Sequence, residues 1–354
     1  MLTTKPKPSL TWDSPDPKTV AVVGAGSWGT TLAHLLAEKG LAVHLWVREL
    51  EVYADLQRDR INHIFLPGVR LSSRLHFHQD LAASLPDATL VLMAVPSHVF
   101  REVLRATKSA FPAGGILLSA AKGMEIDSLL TMEGVTREEL GPEVPYAALS
   151  GPSFASEVAQ KQPTAVALAC RQREVANYLQ KLFSTQYFRV YTSRDVTGVE
   201  LGGALKNIFA IGAGILVGMG LGDNPRAALI TRSLAEMTRL GIRLGANPMT
   251  FAGLAGVGDL LLTCTGLQSR NFQVGLKLGQ GQPLDQILAG MTMVAEGVKT
   301  SRAAQLLAAR LGVEAPLVTA IYKILYEGLA PKDAIKKLMT RELKDELEAM
   351  SDLW

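Results

Sequence analysis

The chain has 354 residues, enough for two domains, with 48% hydrophobic residues, 19% charged residues and a formal net charge of +3. So small a positive balance excludes the dense basic face of a nucleic-acid binder, while a small anionic ligand needs only local positive charge. The two cysteines, Cys170 and Cys264, lie far apart. They define no disulfide or zinc framework and point to a reducing, cytoplasmic compartment.

The opening stretch, MLTTKPKPSLTWDSPDPK, has no apolar segment of the kind a secretory signal needs and predicts a flexible N-terminal arm over residues 1–18. TVAVVGAG then reads as a β-branched strand ending in glycines, and TTLAHLLAEKG as a helix stopping at Gly40. LAVHLWVR is the next strand, followed by ATLVLMAVP, GGILLSAAKG, YAALSGPSF and PTAVALAC, with YFRVYTS as an edge strand. Continuous apolar strands alternating with helices predict a parallel, doubly wound sheet of Rossmann type, covered on both faces. Beyond Asp195 the strand signals stop. Helices are predicted at 196–220, 224–245, 258–265, 270–280, 283–290, 296–311, 315–326 and 331–338, with a last short one near 341–349. The predicted organisation is the arm, a dinucleotide-binding domain over 19–195, and an all-α substrate-binding and catalytic domain over 196–354. The longest apolar run, Ile208 to Leu221, is too short for a membrane span and carries four glycines suited to close helix packing, so no transmembrane segment is expected.

Between the first strand and helix lies GAGSWG, Gly24 to Gly29, a G-x-G-x-x-G pattern in the context that gives it meaning. Gly24 permits the tight turn, Gly26 lets backbone approach a pyrophosphate, and Gly29 lets the helix pack close to the sheet. Backbone N–H groups of Ser27 and Trp28 would point at the phosphates, aided by the helix dipole. At the end of the second strand, where an acidic residue would suit NAD, the chain has Arg48 followed by Glu49. An arginine fork suits a 2′-phosphate, which favours NADP(H) and leaves NAD(H) possible; a solvent-facing arginine is the alternative.

Reduction of a carbonyl needs a proton donor. All six histidines fall between His34 and His98, none in the helical half, and His76 and His78 have no partners at metal-ligand spacing, so no metal is expected. Lysine is the better candidate. Lys206 stands in the apolar VELGGALKNIFAIGAG, on a helical face shared with Gly202, Gly203, Ala210 and Ala213. There it either snorkels to water or faces a polar cleft, where a partly dehydrated ammonium would exchange a proton near neutral pH. Lys122 follows a predicted strand, which places it near the nicotinamide end. Asp259 follows a Gly-rich loop, and SRN, Ser269 to Asn271, opens a helix whose start, with Arg270, makes an anion site or an ordinary cap.

Together, GAGSWGT, AVPS, KGME, LSGPSFA, VELGGALKN, GVGDLLLTCTG, SRN, VAEGVKT and LKDE occur in an order that resembles bacterial-type NAD(P)-dependent glycerol-3-phosphate dehydrogenase, over nearly the whole chain from Thr19. The resemblance implies reversible reduction of dihydroxyacetone phosphate to sn-glycerol 3-phosphate, the backbone of phospholipids. It implies that Lys206 donates and accepts the proton, and that Lys122, Gly151, Ser153, Asp259, Ser269, Arg270 and Asn271 join Lys206 in contacting substrate. For the cofactor it implies Ser27, Trp28, Arg48, Lys122, Ala155, Arg270, Val294 and Glu296. The chain departs from the family in its longer proline-rich arm and in Glu342, where the family often has proline. A related β-hydroxyacid or UDP-sugar dehydrogenase would need a carboxylate site or a catalytic cysteine, which fits SRN less well. A redox sensor without turnover would have no use for Lys206, Lys122 and Arg270 together. A homodimer is compatible with this reading.

Overall fold

The computed structural model describes residues 19–85, 87–291, 293–343, 345 and 346; the predicted arm lies outside them. The N-terminal half runs β1 (Thr19–Val23), α1 (Ser27–Glu38), β2 (Ala42–Trp46), α2 (Leu50–Asp59), β3 (Ile61–Asn62), β4 (Leu66–Arg70), β5 (Leu75–His78), β6 (Leu90–Met93), α3 (Phe100–Thr107), β7 (Ile116–Ser119), α4 (Met132–Leu140), β8 (Tyr146–Ser150), α5 (Ala155–Ala159), β9 (Thr164–Cys170), α6 (Arg173–Phe183) and β10 (Phe188–Ser193). Eight of these strands form one sheet in the order β10-β9-β8-β7-β6-β1-β2-β5. The chain winds outward from β1 through β2 to β5, then crosses back to β6 on the other side of β1. That reversal opens a crevice beyond the carboxyl ends of β1 and β6, the place where open α/β sheets bind ligands.

Two features differ from the expected all-parallel sheet. β9 runs antiparallel to β8, with β10 parallel to β9 at the edge. The β3–β4 hairpin has no counterpart in the sequence reading, because Pro67 and Gly68 inside β4 mask its strand character. Strand alternation sorts the core into two layers: Val20 and Val22 pack on one face of the sheet, Ala21 and Val23 on the other.

The helical half begins with α7 (Val196–Gly218), followed by α8 (Asp223–Arg243), α9 (Pro248–Phe251), a π-helical turn at Leu254–Gly258, α10 (Asp259–Thr265), α11 (Arg270–Gly279), α12 (Leu284–Ala289), α13 (Glu296–Leu311), α14 (Pro316–Tyr326) and α15 (Pro331–Met339). The helix expected near 341–349 is not present at the described residues 341–343, 345 and 346, and its remainder lies outside them. Asp195 starts α7 by accepting a hydrogen bond from Gly198 N at 2.9 Å. Its other carboxylate oxygen takes Asn247 N at 2.9 Å and Thr250 Oγ1 at 2.6 Å, which fastens α9 to the same point.

Helix α7 is the axis of the molecule. Val196 and Val199 pack into the sheet's core, while Leu201, Leu205, Ile208 and Ile211 belong to the helical core. Glycines on both helices let α7 and α11 cross at backbone contact: a Cβ at Gly214 of α7 would overlap Phe272 O, and one at Gly275 of α11 would overlap Ile211 O. By length and composition α7 could cross a membrane, as could the stretch Pro248–Thr265. The apolar window of α7 is 89% buried in protein, as befits a core helix, and the second stretch is three short turns rather than one rod.

Candidate active site

The glycine loop shows why its residues are glycine. Gly24 has φ of +113°, and a Cβ there would press within 2.9 Å of Ala94 O, across the crevice at the end of β6. A Cβ at Gly29 would overlap Gly24 O. Gly26 is different: it has an ordinary extended conformation, and a Cβ there would meet nothing within 4 Å. Gly26 precedes α1 without a side-chain cap. The first turn of α1 therefore faces open space with its positive end available to an anion. Close by, Ser27 Oγ reaches Met293 Sδ at 3.4 Å, and the partly buried Trp28 has a buried Nε1 with no hydrogen-bond partner. Ala155, at the start of α5, accepts from Thr31 Oγ1 at 3.2 Å, which holds α5 against α1.

At the other side of the crevice α7 carries Lys206 beneath the loop that follows β7. Lys206 is only 6% exposed, and its ammonium donates to Asp259 Oδ1 and to Thr263 Oγ1 at 2.9 Å. Lys122 donates to Asp259 Oδ2 at 2.8 Å and to Gly151 O at 3.0 Å. One buried carboxylate is thus shared by two ammonium groups. Burial pushes the Lys206 pKa down to about 7, Asp259 opposes that shift, and Lys122 adds to it. Burial alone would raise the Asp259 carboxyl, but the two lysines outweigh it and hold it below its ordinary value.

Local packing explains the placement. The backbone at Ala255 fills the notch at Gly202, so the π-helical turn delivers Asp259 directly onto α7. At Gly203 a Cβ would lie 2.6 Å from Ser150 Oγ and 3.5 Å from Lys122 Cγ, so the glycine clears a path for the Lys122 stem. Ser153 Oγ donates to Gly151 O at 2.9 Å, the same carbonyl that Lys122 uses. Gly151 itself has φ of +134°.

A chain of amides then ties four elements together. Asn207 Nδ2 donates to Lys122 O at 3.2 Å, Asn271 Nδ2 to Asn207 Oδ1 at 2.9 Å, and Gly297 N to Asn271 Oδ1 at 2.9 Å. Ser269 caps α11, accepting from Phe272 N at 3.2 Å. Arg270, next to it, is accessible to water yet desolvated by surrounding protein, the condition of a side chain in a cleft. Glu296 accepts from Ser97 N at 2.9 Å, and its Oε2 is buried without a partner. Burial raises the Glu296 carboxyl to about 6, against the opposing charges of Arg270 and Lys122.

The structure therefore joins Lys122, Gly151, Ser153, Lys206, Asp259 and Asn271 in one bonded constellation, with Arg270 and Glu296 beside it. Val294 lies just before α13 and is 38% exposed. Arg48 is apart from this group, its guanidinium exposed and bonded to Glu49 Oε1 at 3.0 and 2.7 Å. Three participants were not singled out from the sequence as site residues: Thr263, Asn207 and Ser97. Thr263 had a signal, since it stands four residues after Asp259 on one helical face; Asn207 and Ser97 had none beyond adjacency. Cys264 is buried with its thiol raised to about 12, so it is no nucleophile.

The chain matches known proteins over nearly its whole length. Residues 19–176 match the family described as NAD-dependent glycerol-3-phosphate dehydrogenase N-terminus, and residues 195–336 match its C-terminus. The chain belongs to the NAD-dependent glycerol-3-phosphate dehydrogenase family. It is 53% identical over 329 residues to the glycerol-3-phosphate dehydrogenase (NAD(P)+) of Citrifermentans bemidjiense, spanning 92% of this chain and 98% of that one. It is 52% identical to the protein of that name from Syntrophobacter fumaroxidans, over 93% of this chain and 97% of the relative. Among solved structures, the glycerol-3-phosphate dehydrogenase of Coxiella burnetii superposes with a TM-score of 0.90 at 41% identity, covering 92% of this chain and 100% of that one. Membership makes the chain an NAD(P)-dependent oxidoreductase. The crevice fits the nicotinamide dinucleotide the family uses: open space at Gly26, an uncapped helix start, and unpartnered buried atoms on Trp28 and Glu296.

Proposed function

We propose that the chain reduces dihydroxyacetone phosphate reversibly to sn-glycerol 3-phosphate, with Lys206 as proton donor and acceptor. The observation that carries this reading is a buried ammonium with a pKa of about 7, held by Asp259 and Thr263 on the floor of a cleft beside a dinucleotide crevice. The nicotinamide, when bound, supplies the hydride to substrate C2. Lys206 gives its proton to the C2 oxygen as that oxygen gains charge, and takes it back in the reverse direction. Lys122, fixed between Asp259 and Gly151, places a second positive charge at the same oxygen and stabilises the developing alkoxide. Asp259 positions both lysines and keeps Lys206 partly protonated at neutral pH. Arg270 and the capped start of α11 take the substrate phosphate, with Ser269, Asn271, Gly151 and Ser153 shaping the pocket.

On this reading residues 19–195 hold the cofactor and the chain from 196 onward holds the substrate. Gly24, Gly26, Ser27, Trp28 and Gly29 take the pyrophosphate, Arg48 faces the ribose end, and Lys122, Ala155, Arg270, Val294 and Glu296 line the remainder. The Arg48 fork favours NADP(H) over NAD(H). The product suits glycerophospholipid synthesis, and two free, buried cysteines suit a reducing, cytoplasmic setting.

The test is the reduced-nicotinamide absorbance of enzyme with NADPH, or NADH, on addition of dihydroxyacetone phosphate. Loss of absorbance with formation of sn-glycerol 3-phosphate supports the reading. Tight cofactor binding with unchanged absorbance would mark a binding protein instead.

A further inference from the structure

The carboxyl edge of the sheet beside β2 gathers basic residues from three elements. Arg48 stands just past β2, and His98 lies in the short 3-10 turn Ser97–Val99 after β6. β2 and β6 flank β1 in the sheet, so these two residues sit at the same carboxyl edge. The third, Lys299, is brought from the helical half. Ser97 N donates to Glu296 Oε1 at 2.9 Å and fastens the first turn of α13 over the turn that carries His98. Lys299 follows Glu296 by three residues and shares its helix face. The proximity is visible at His98, whose imidazole is lowered first by burial and then by the charges of Lys299 and Arg48.

Arg48 does not stand as a free cation. Glu49 takes its fork in two hydrogen bonds, so the pair is close to neutral. Lys299 is exposed and forms no ion pair among the described residues. It is a positive charge with no carboxylate among those residues matched to it, unlike Arg48.

We propose that Lys299 and His98 are specificity-determining residues, which together with Arg48 distinguish the 2′-phosphate of NADP(H) from the ribose hydroxyl of NAD(H). The proposal rests on the NADP(H) reading above and adds that recognition is completed across the domain boundary, by a lysine of the helical half.

The experiment is direct titration of NADPH and of NADH into the protein without substrate, followed by calorimetry or protein fluorescence, for the wild type and for Lys299→Ala, Lys299→Glu, His98→Gln and Arg48→Ala. The quantity read is the ratio of the two Kd values. Lys299→Ala is expected to reduce the preference for NADPH roughly tenfold, the loss of one charge-assisted hydrogen bond. Lys299→Glu reduces it further, and His98→Gln by roughly two- to tenfold, as for an uncharged bond. If Arg48→Ala collapses the ratio while both Lys299 variants leave it unchanged, the inference is overturned and the NADP(H) reading stands. If the wild type binds both cofactors alike, that reading fails and the inference falls with it.

Discussion

Both ends of the crevice carry basic residues, but in opposite conditions. At the substrate end Lys206 and Lys122 share the carboxylate of Asp259, which is 1% exposed. At the other end, just past β2, Arg48 is 68% exposed and holds the half-buried Glu49. The same pairing of cation with carboxylate gives a strongly shifted lysine in the first place and a solvated ion pair in the second. Burial makes the difference, because desolvation disfavours the charged form and an exposed pair is screened. In the proposed mechanism, chemistry is placed where the solvent is excluded, and cofactor choice where it is not.

The sharpest way to break this contrast is at Lys206. Lys206→Ala is expected to reduce turnover ~10²–10⁴-fold, the usual contribution of a general acid, while retaining cofactor binding and a cooperative melt. Turnover near the wild-type rate would show that the buried lysine is structural. Arg48→Ala should leave kcat nearly unchanged and lower the NADPH-to-NADH ratio of kcat/KM roughly ten- to a hundredfold, since a remote contact contributes uniform binding. An unchanged ratio would remove Arg48 from cofactor choice.

Two glycines sharpen the comparison. Gly26→Ala places a methyl in open space, so the melting temperature of the free protein should hold while the cofactor Kd rises on the order of tenfold. Gly203→Ala places the same methyl against Ser150 Oγ and the Lys122 stem, so it should lower stability by about 1–3 kcal/mol in chemical denaturation. Equal effects of the two on stability would contradict the open crevice.

The smallest effect is a shift of a pH limb. In the proposed mechanism reduction draws on protonated Lys206, so its kcat should fall as pH rises through about 7; oxidation draws on the neutral amine and should rise through the same range. Asp259 favours the charged form of Lys206, so Asp259→Asn should move both limbs to lower pH. Limbs that stay in place in the variant would assign them to another group.

Much of the scaffold was legible because its signals are local. Buried strands such as Leu90–Met93 and the glycines at 24, 26 and 29 announce themselves through composition and spacing, and α7 through an apolar run with small residues. The antiparallel β9 and the β3–β4 hairpin were not legible. Strand direction depends on partners distant in sequence, and the hairpin's Pro67 and Gly68 carry turn character into a strand.

By itself the sequence determined the residue types of the site and the order in which they occur: a phosphate-binding loop, two lysines, an aspartate and a helix start with arginine. It left Lys206 with two fates, an exposed snorkelling cation or a working one. Only the tertiary structure removed the first, by bringing Asp259 and Thr263 from α10 and Lys122 from the loop after β7 to the buried Lys206. The physical reason is that a lysine's pKa is set by burial and by charges adjacent in space, and neither is a property of its neighbours in the chain. The place of Lys299 near the turn that carries His98 likewise depends on a contact distant in sequence, the Ser97–Glu296 bond across 199 residues.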